Sequence, residues 1–187
     1  IVFKVTSTSV INTIGLLNIK GASVNITGVS SSLVEFYNKD FSILSNENVF
    51  DGYSYFFAEF IEKEDIIAVN IPPYLGASFT ITITGSSTVA LGEFVYGSEY
   101  DLGFSLVGAQ PFIESFSTVT RDTFGKVTKT TRSNTKGMSI DTAVPTSRIN
   151  NIHKEMRNLI DINALWVGST DNSALIIYGI MSQYSPA

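Results

Sequence analysis

The segment Ser78-Phe79-Thr80-Ile81-Thr82-Ile83-Thr84 alternates hydroxyl and apolar side chains without a break. A period of two predicts a β-strand with one covered face, so Phe79, Ile81 and Ile83 are expected to face a core while the threonines face water. Residues 65–71 and 53–61 are denser in apolar side chains and read as strands covered on both faces. Residues 24–27, 33–37 and 88–96 complete a set of short strands at the spacing of a β-sandwich. Pro72-Pro73 closes one strand because proline offers no ladder donor. Gly85-Ser86-Ser87 reads as the next turn.

After Gly97 the texture changes. Residues 97–108 are glycine-rich enough for a connection, and residues 112–120 and 126–133 flank Asp122-Thr123-Phe124-Gly125 like the arms of a β-hairpin. A further strand is expected over 138–144. Thr146 or Ser147 then offers a side-chain N-cap. Ile149, Ile152, Met156, Leu159 and Ile160 follow on one stripe, which predicts an amphipathic helix over about 147–161, the only helix the pattern calls for. Leu165-Trp166-Val167 and residues 175–180 read as two closing strands around a polar turn at 168–173, and residues 183–187 are expected to fray. The fold expectation is mainly β: an antiparallel sandwich of jelly-roll or carbohydrate-binding-module type over 1–97, then a β-rich region over 98–187 with one helix. The same pattern is compatible with one continuous unit or with the C-terminal part of a longer chain.

Composition narrows the chemistry. The chain has 187 residues, 44% of them hydrophobic and only 16% charged, against roughly 25% charged in an average globular protein. Its polar surface must therefore be built largely of hydroxyl and amide groups. A net charge of -5 opposes non-specific attraction to nucleic acid or to anionic lipid. The charge is uneven, with four Lys and nine acidic residues over 1–97 but eight basic and eight acidic residues over 98–187. No apolar run approaches the ~18 residues of a membrane span. Zero Cys and a single His exclude disulfides, thiolate metal sites and a Cys nucleophile, and leave only oxygen ligands of the kind that suit calcium or magnesium. No metal, nucleotide or redox cofactor is expected.

The densest acidic run is Glu59, Glu62, Glu64 and Asp65, with Lys63 among them. Paired carboxylates could hydrolyse a glycosidic bond, but a charged turn at a strand end explains the run without chemistry. His153 borders the helical stripe and reads as a half-buried packing residue rather than a general base. Neither a G-x-S-x-G elbow nor a phosphate-binding loop occurs. Arg121, Lys126, Lys129 and Arg132 surround the hairpin turn with Phe124 at its tip, which suits an interface with an acidic partner. Tyr53, Tyr55, Tyr74, Tyr96 and Tyr100 are the candidates for stacking on sugar rings, set against the ordinary role of Tyr as strand and core material.

Several segments, taken in order, resemble a group of tailed-bacteriophage virion proteins described as tail-associated or carbohydrate-binding-like. They are Tyr53-Ser54-Tyr55-Phe56-Phe57-Ala58-Glu59-Phe60, Ile71-Pro72-Pro73-Tyr74, Phe94-Val95-Tyr96-Gly97 through Tyr100-Asp101-Leu102-Gly103, Asp122-Thr123-Phe124-Gly125, Leu165-Trp166-Val167-Gly168 and Ile177-Tyr178-Gly179. The resemblance covers about residues 50–187 and leaves the first 50 unplaced. It implies a β-sandwich joined to a β-rich part with one helix, located in the virion tail and built into a symmetric homo-oligomer among other tail proteins. It carries over no catalytic residue. The expectation is a non-enzymatic tail-tip, baseplate or fibre-adaptor component. A module for host-surface glycan or receptor is the second reading, and a polysaccharide hydrolase the third.

Overall fold

The computed structural model describes residues 1–45, 48–59, 61–85, 88–106, 108–170 and 172–184. The chain is mainly β with antiparallel sheets. It divides into two compact units, Ile1–Tyr100 and Asp101–Ala187.

The first unit contains β1 (Val2–Thr6), β2 (Thr13–Lys20), β3 (Ser23–Val29), β4 (Glu35–Ser42), β5 (Leu44–Ser45), α1 (Gly52–Phe57), β6 (Ile61–Glu62), β7 (Ile66–Ala68), β8 (Ser78–Thr84) and β9 (Ala90–Gly97). One sheet has the order β1-β8-β3-β4 and a second the order β7-β2-β9; β5 and β6 form a small ladder. In the first sheet Ile26 lies opposite Ile81 and Val24 opposite Ile83. These residues and Phe79 share one buried cluster with Ile14, Leu16, Ile19, Ile66 and Ala68 of the second sheet. Phe3 and Phe94 meet edge to face across the two sheets, with ring centroids 5.1 Å apart. The alternation in β8 thus does what its period dictates.

The opposite face of the first sheet is hydroxyl and amide. Thr6 bonds Ser78 and Ser23 bonds Thr84. The Asn25 amide donates to Asn38 and to Asp40, at 2.9 Å each. A face held by hydroxyl and amide hydrogen bonds agrees with the low charge content.

Several boundaries differ from the sequence reading. Residues 53–61 do not form a strand: α1 occupies most of the segment, and Phe60 lies outside the described residues. The cause is local, since Asp51 accepts a hydrogen bond from the Ser54 amide at 2.7 Å while the Ser54 hydroxyl accepts from the Asp51 amide, a reciprocal capping box. Leu33 has φ 61° in the turn before β4, so that strand starts at Glu35 rather than at 33. The strand expected over 65–71 is confined to Ile66–Ala68, and Asn70 beyond it has φ 56°. The turn placed at 85–87 falls largely on Ser86 and Ser87, outside the described residues. The unit also extends past Gly97, because Glu99 accepts from the Thr13 hydroxyl at 2.9 Å and its amide donates to the Asn12 side chain.

The second unit contains β10 (Phe104–Ser105), β11 (Gln110–Ser115), β12 (Thr118–Arg121), β13 (Val127–Thr130), β14 (Asn134–Ser139), β15 (Thr142–Ala143), a 3-10 turn (Thr146–Arg148), α2 (Ile149–Leu159), β16 (Ala164–Val167), a second 3-10 turn (Ser173–Leu175) and β17 (Ile176–Gly179). The strands pair as β10–β15, β11–β14, β12–β13 and β16–β17. Neither Thr146 nor Ser147 caps α2: the chain enters it through the 3-10 turn, and no side chain caps the Arg148 position. On the helix Ile152 and Met156 are buried, Ile149 and Leu159 half-buried, and Ile160 exposed. The strand expected over 138–144 is split between the end of β14 and β15. Residues 185–187, where fraying was expected, lie outside the described residues.

The two units differ in core. Every wholly buried apolar residue among those described belongs to the first unit except Ile152, Met156 and Ile176. Trp166 is half-buried and donates its indole N–H to the Gly179 carbonyl at 2.9 Å. Asp101 receives the Arg148 guanidinium at 2.8 Å, which holds its carboxyl below the usual range.

Candidate functional site

The most exposed feature of the second unit is the arm built by β11 to β14. The hairpin expected over 112–133 is two ladders in series. In the outer one Gln110 pairs with Ser139 and Ser115 with Asn134; in the inner one Thr118 pairs with Thr130 and Arg121 with Val127. Ser117 interrupts the strand because its hydroxyl takes the place of a backbone partner, accepting from the Arg132 amide at 3.0 Å and donating to the Arg132 carbonyl at 3.3 Å. A serine side chain that satisfies backbone groups in this way competes with the regular ladder.

The tip is specified by its own residues. Asp122 accepts from the Phe124 amide at 2.9 Å and from the Lys126 amide at 2.8 Å. Gly125 has φ 81°, a conformation that a side chain would strain, and its amide closes the turn on the Asp122 carbonyl. Asp122→Ala is expected to raise hydrogen exchange at the β12 and β13 amides about tenfold, the size of one lost bond to a charged acceptor. Asp122→Asn, which keeps an acceptor, should raise it less. Equal exchange in both variants would show that the side chain does not hold the tip.

Register assigns the faces of the inner ladder. Val119, Arg121, Val127 and Lys129 share one side, and Thr118, Thr120, Thr128 and Thr130 share the other. Both are open to solvent: apart from half-buried Ser117, every residue from 110 to 136 is exposed. Phe124 is 94% exposed, Ile113 72% and Val119 65%. In the outer ladder the Phe112 ring lies across Gly137, where a Cβ would collide with it. The residues marked as interface candidates thus come together. Arg121 and Lys129 lie on one face, Phe124 and Lys126 at the tip, and Arg132 at the junction of the ladders.

A second exposed surface is the excursion around α1. Its six residues bury none of their side chains. Tyr53 stacks on Phe57 at 4.7 Å and Tyr55 meets Phe56 edge to face at 5.2 Å, while Phe50 is 87% exposed. The hydrogen bonds from Ser54 hold the fully exposed Asp51 carboxyl below its ordinary value. The sequence pattern does not show this aromatic surface, because the run has the apolar density of a strand. The Asp51-x-x-Ser54 pair was the available signal.

The remaining candidates are dispersed. Tyr74 packs on Phe36 at 4.3 Å, Tyr96 lies beside Phe94 in β9, and Tyr100 ends the first unit. Tyr53 and Tyr55 alone share an element. Within the acidic run, Glu59 and Glu62 are exposed. Asp65 accepts from the Asn18 amide and the Glu64 carbonyl from the Ile19 amide, so both brace β2 where Asn18 has φ 51°. Among the described residues no group of three or more His, Asp or Glu side chains is placed to hold a metal ion. His153 is exposed rather than half-buried, and its ring lies 6.2 Å from that of Tyr184 at a cavity of about 330 Å³ that Met156, Arg157 and Ile180 also line. Among the described residues no side chain hydrogen-bonds the imidazole, so no carboxylate orients it as a general base would require. No described helix is long and apolar enough to cross a membrane.

Comparison with family models, with curated proteins and with solved structures finds no match for this chain.

Proposed function

We propose that this protein is a non-enzymatic structural component of a bacteriophage tail, acting at a tail tip, baseplate or fibre joint through contacts between subunits. One observation carries the assembly part of this reading: the two-stranded arm of the second unit leaves Phe112, Ile113, Phe116, Val119, Phe124 and Val127 exposed to solvent. A two-stranded ribbon is marginal in water by itself. Apolar side chains gathered on such a ribbon gain stability when a partner removes them from solvent. The thin core of the same unit supports the reading as well. The assignment to a phage tail rests on the scattered aromatic and glycine segments whose resemblance was described above.

Sedimentation velocity of the purified chain should give a discrete oligomer, and the triple variant Phe112→Ser, Ile113→Ser, Phe116→Ser should sediment as a monomer. These side chains are already exposed, so the substitutions leave both cores intact. On assembled particles an antibody to the arm-deleted chain should decorate the tail. A monomer at every concentration removes the assembly part, and decoration elsewhere removes the tail part.

The open rings of Tyr53 and Tyr55 favour host-glycan binding as a second reading. A glycan array bound by the natural chain but not by Tyr53→Ala, Tyr55→Ala would support it; an array that stays empty would reject it.

A further inference from the structure

We propose that the arm of one copy docks on the aromatic and acidic excursion, residues 50–59 with Ile61 and Glu62, of a neighbouring copy, a contact that rests on the assembly reading above. The inner ladder offers Val119 and Val127 together with the cations Arg121 and Lys129 on a single open face. Pairing that face with itself in a second copy would set cation against cation, which disfavours an arm-to-arm contact. The face needs an apolar and anionic counterpart. The excursion supplies both, with Phe50, Tyr53, Tyr55, Phe56 and Phe57 exposed beside exposed Glu59 and Glu62. The segment carries no cation, and Lys63, which borders it, is half-buried.

Complementarity operates here at two levels. Guanidinium and ammonium groups are attracted to the faces of aromatic rings, so Tyr53 and Phe56 suit the same partner that the carboxylates suit. The same matching appears in the whole chain, where residues 1–97 carry nine acidic groups against four Lys and the arm gathers Arg121, Lys126, Lys129 and Arg132. Because two different surfaces meet, the contact is heterologous, and repeating it by rotation closes a ring or extends a fibre. The arrangement gives a reason for the unequal charge of the two halves.

The absence of native cysteine makes disulfide trapping a clean test. Chains carrying Val119→Cys and chains carrying Tyr55→Cys, distinguished by a mass tag, are mixed and oxidised mildly. A pairing of Val119→Cys with Lys4→Cys, on the hydroxyl face of the first sheet, serves as control. The 119–55 heterodimer is expected to exceed the control and the 119–119 homodimer severalfold. Glu59→Lys with Glu62→Lys should weaken self-association about tenfold, as two exposed ion pairs would. Adding Arg121→Glu and Lys129→Glu to the same chain should restore it. Oligomers that persist with 119–119 as the dominant crosslink, or unchanged association after the Glu reversals, would each overturn this contact and leave the assembly reading standing. A chain that never self-associates removes the assembly reading itself.

Discussion

Phe79→Ala is expected to destabilise the first unit by about 3 to 5 kcal/mol, the usual cost of emptying a buried phenylalanine site. Phe79 has 0% exposure and sits in β8 between β1 and β3, so strands on both sides hold the walls of the resulting cavity apart. Its ring also meets Phe36 edge to face at 5.8 Å, and Phe36 in turn packs on Tyr74. Truncation therefore removes an aromatic contact in addition to buried area. Phe79→Leu, which keeps most of the volume, should cost under about half as much. Urea unfolding measured by far-UV dichroism, with exchange protection of the β3 and β8 amides, checks both values. A loss below about 1 kcal/mol for the alanine variant would mean that the sandwich collapses around the gap instead of holding it open.

Met156→Ala is expected to have a larger proportional effect, because the unit that contains it has so little else buried. The cost of such a truncation is about 2 to 5 kcal/mol. Met156 is 2% exposed and shares that burial, among the described residues of the unit, only with Ile152 and Ile176. A loss of this size should convert the second unit to a state without fixed packing. Leu159→Ala should cost less than Met156→Ala, since Leu159 is half-buried and has surrendered only part of its surface. Trp166 is the single tryptophan of the chain and belongs to this unit, so its emission reports the unit directly. A red shift at low urea in Met156→Ala, and not in Leu159→Ala, is the expected result. Equal behaviour of the two variants would contradict the burial pattern of α2.

How far the sequence was legible depended on the range of the interactions that decide each feature. The period-two run of β8 and the stripe of α2 are one-dimensional patterns, and both appear where the pattern put them. The hairpin tip was readable for the same reason, because Asp122 and Gly125 act on amides within the same turn. The helix α1 was equally local and was still missed, since a run of Tyr and Phe carries a strand preference that the capping box overrides. The break between the two ladders of the arm turned on Ser117 reaching Arg132, fifteen residues away, and no pattern along either strand contains that contact.

What the chain determined alone is therefore its class of building blocks: short β-strands with one apolar face, one amphipathic helix, a polar surface poor in charge, and no thiol chemistry. The tertiary structure decided which of these blocks share a sheet, pairing β8 with β1 across more than seventy residues and placing β2 between β7 and β9. It also decided the fate of the aromatics. Phe79 is core, whereas Phe56 is open, although both lie in runs that carry a strand preference. An aromatic run without a clear period does not say whether it is buried, because burial there depends on what the rest of the chain brings to the site. The sequence already marks the arm as an interface candidate and Tyr53 and Tyr55 as sugar contacts; the tertiary structure decided that both segments stay open to solvent.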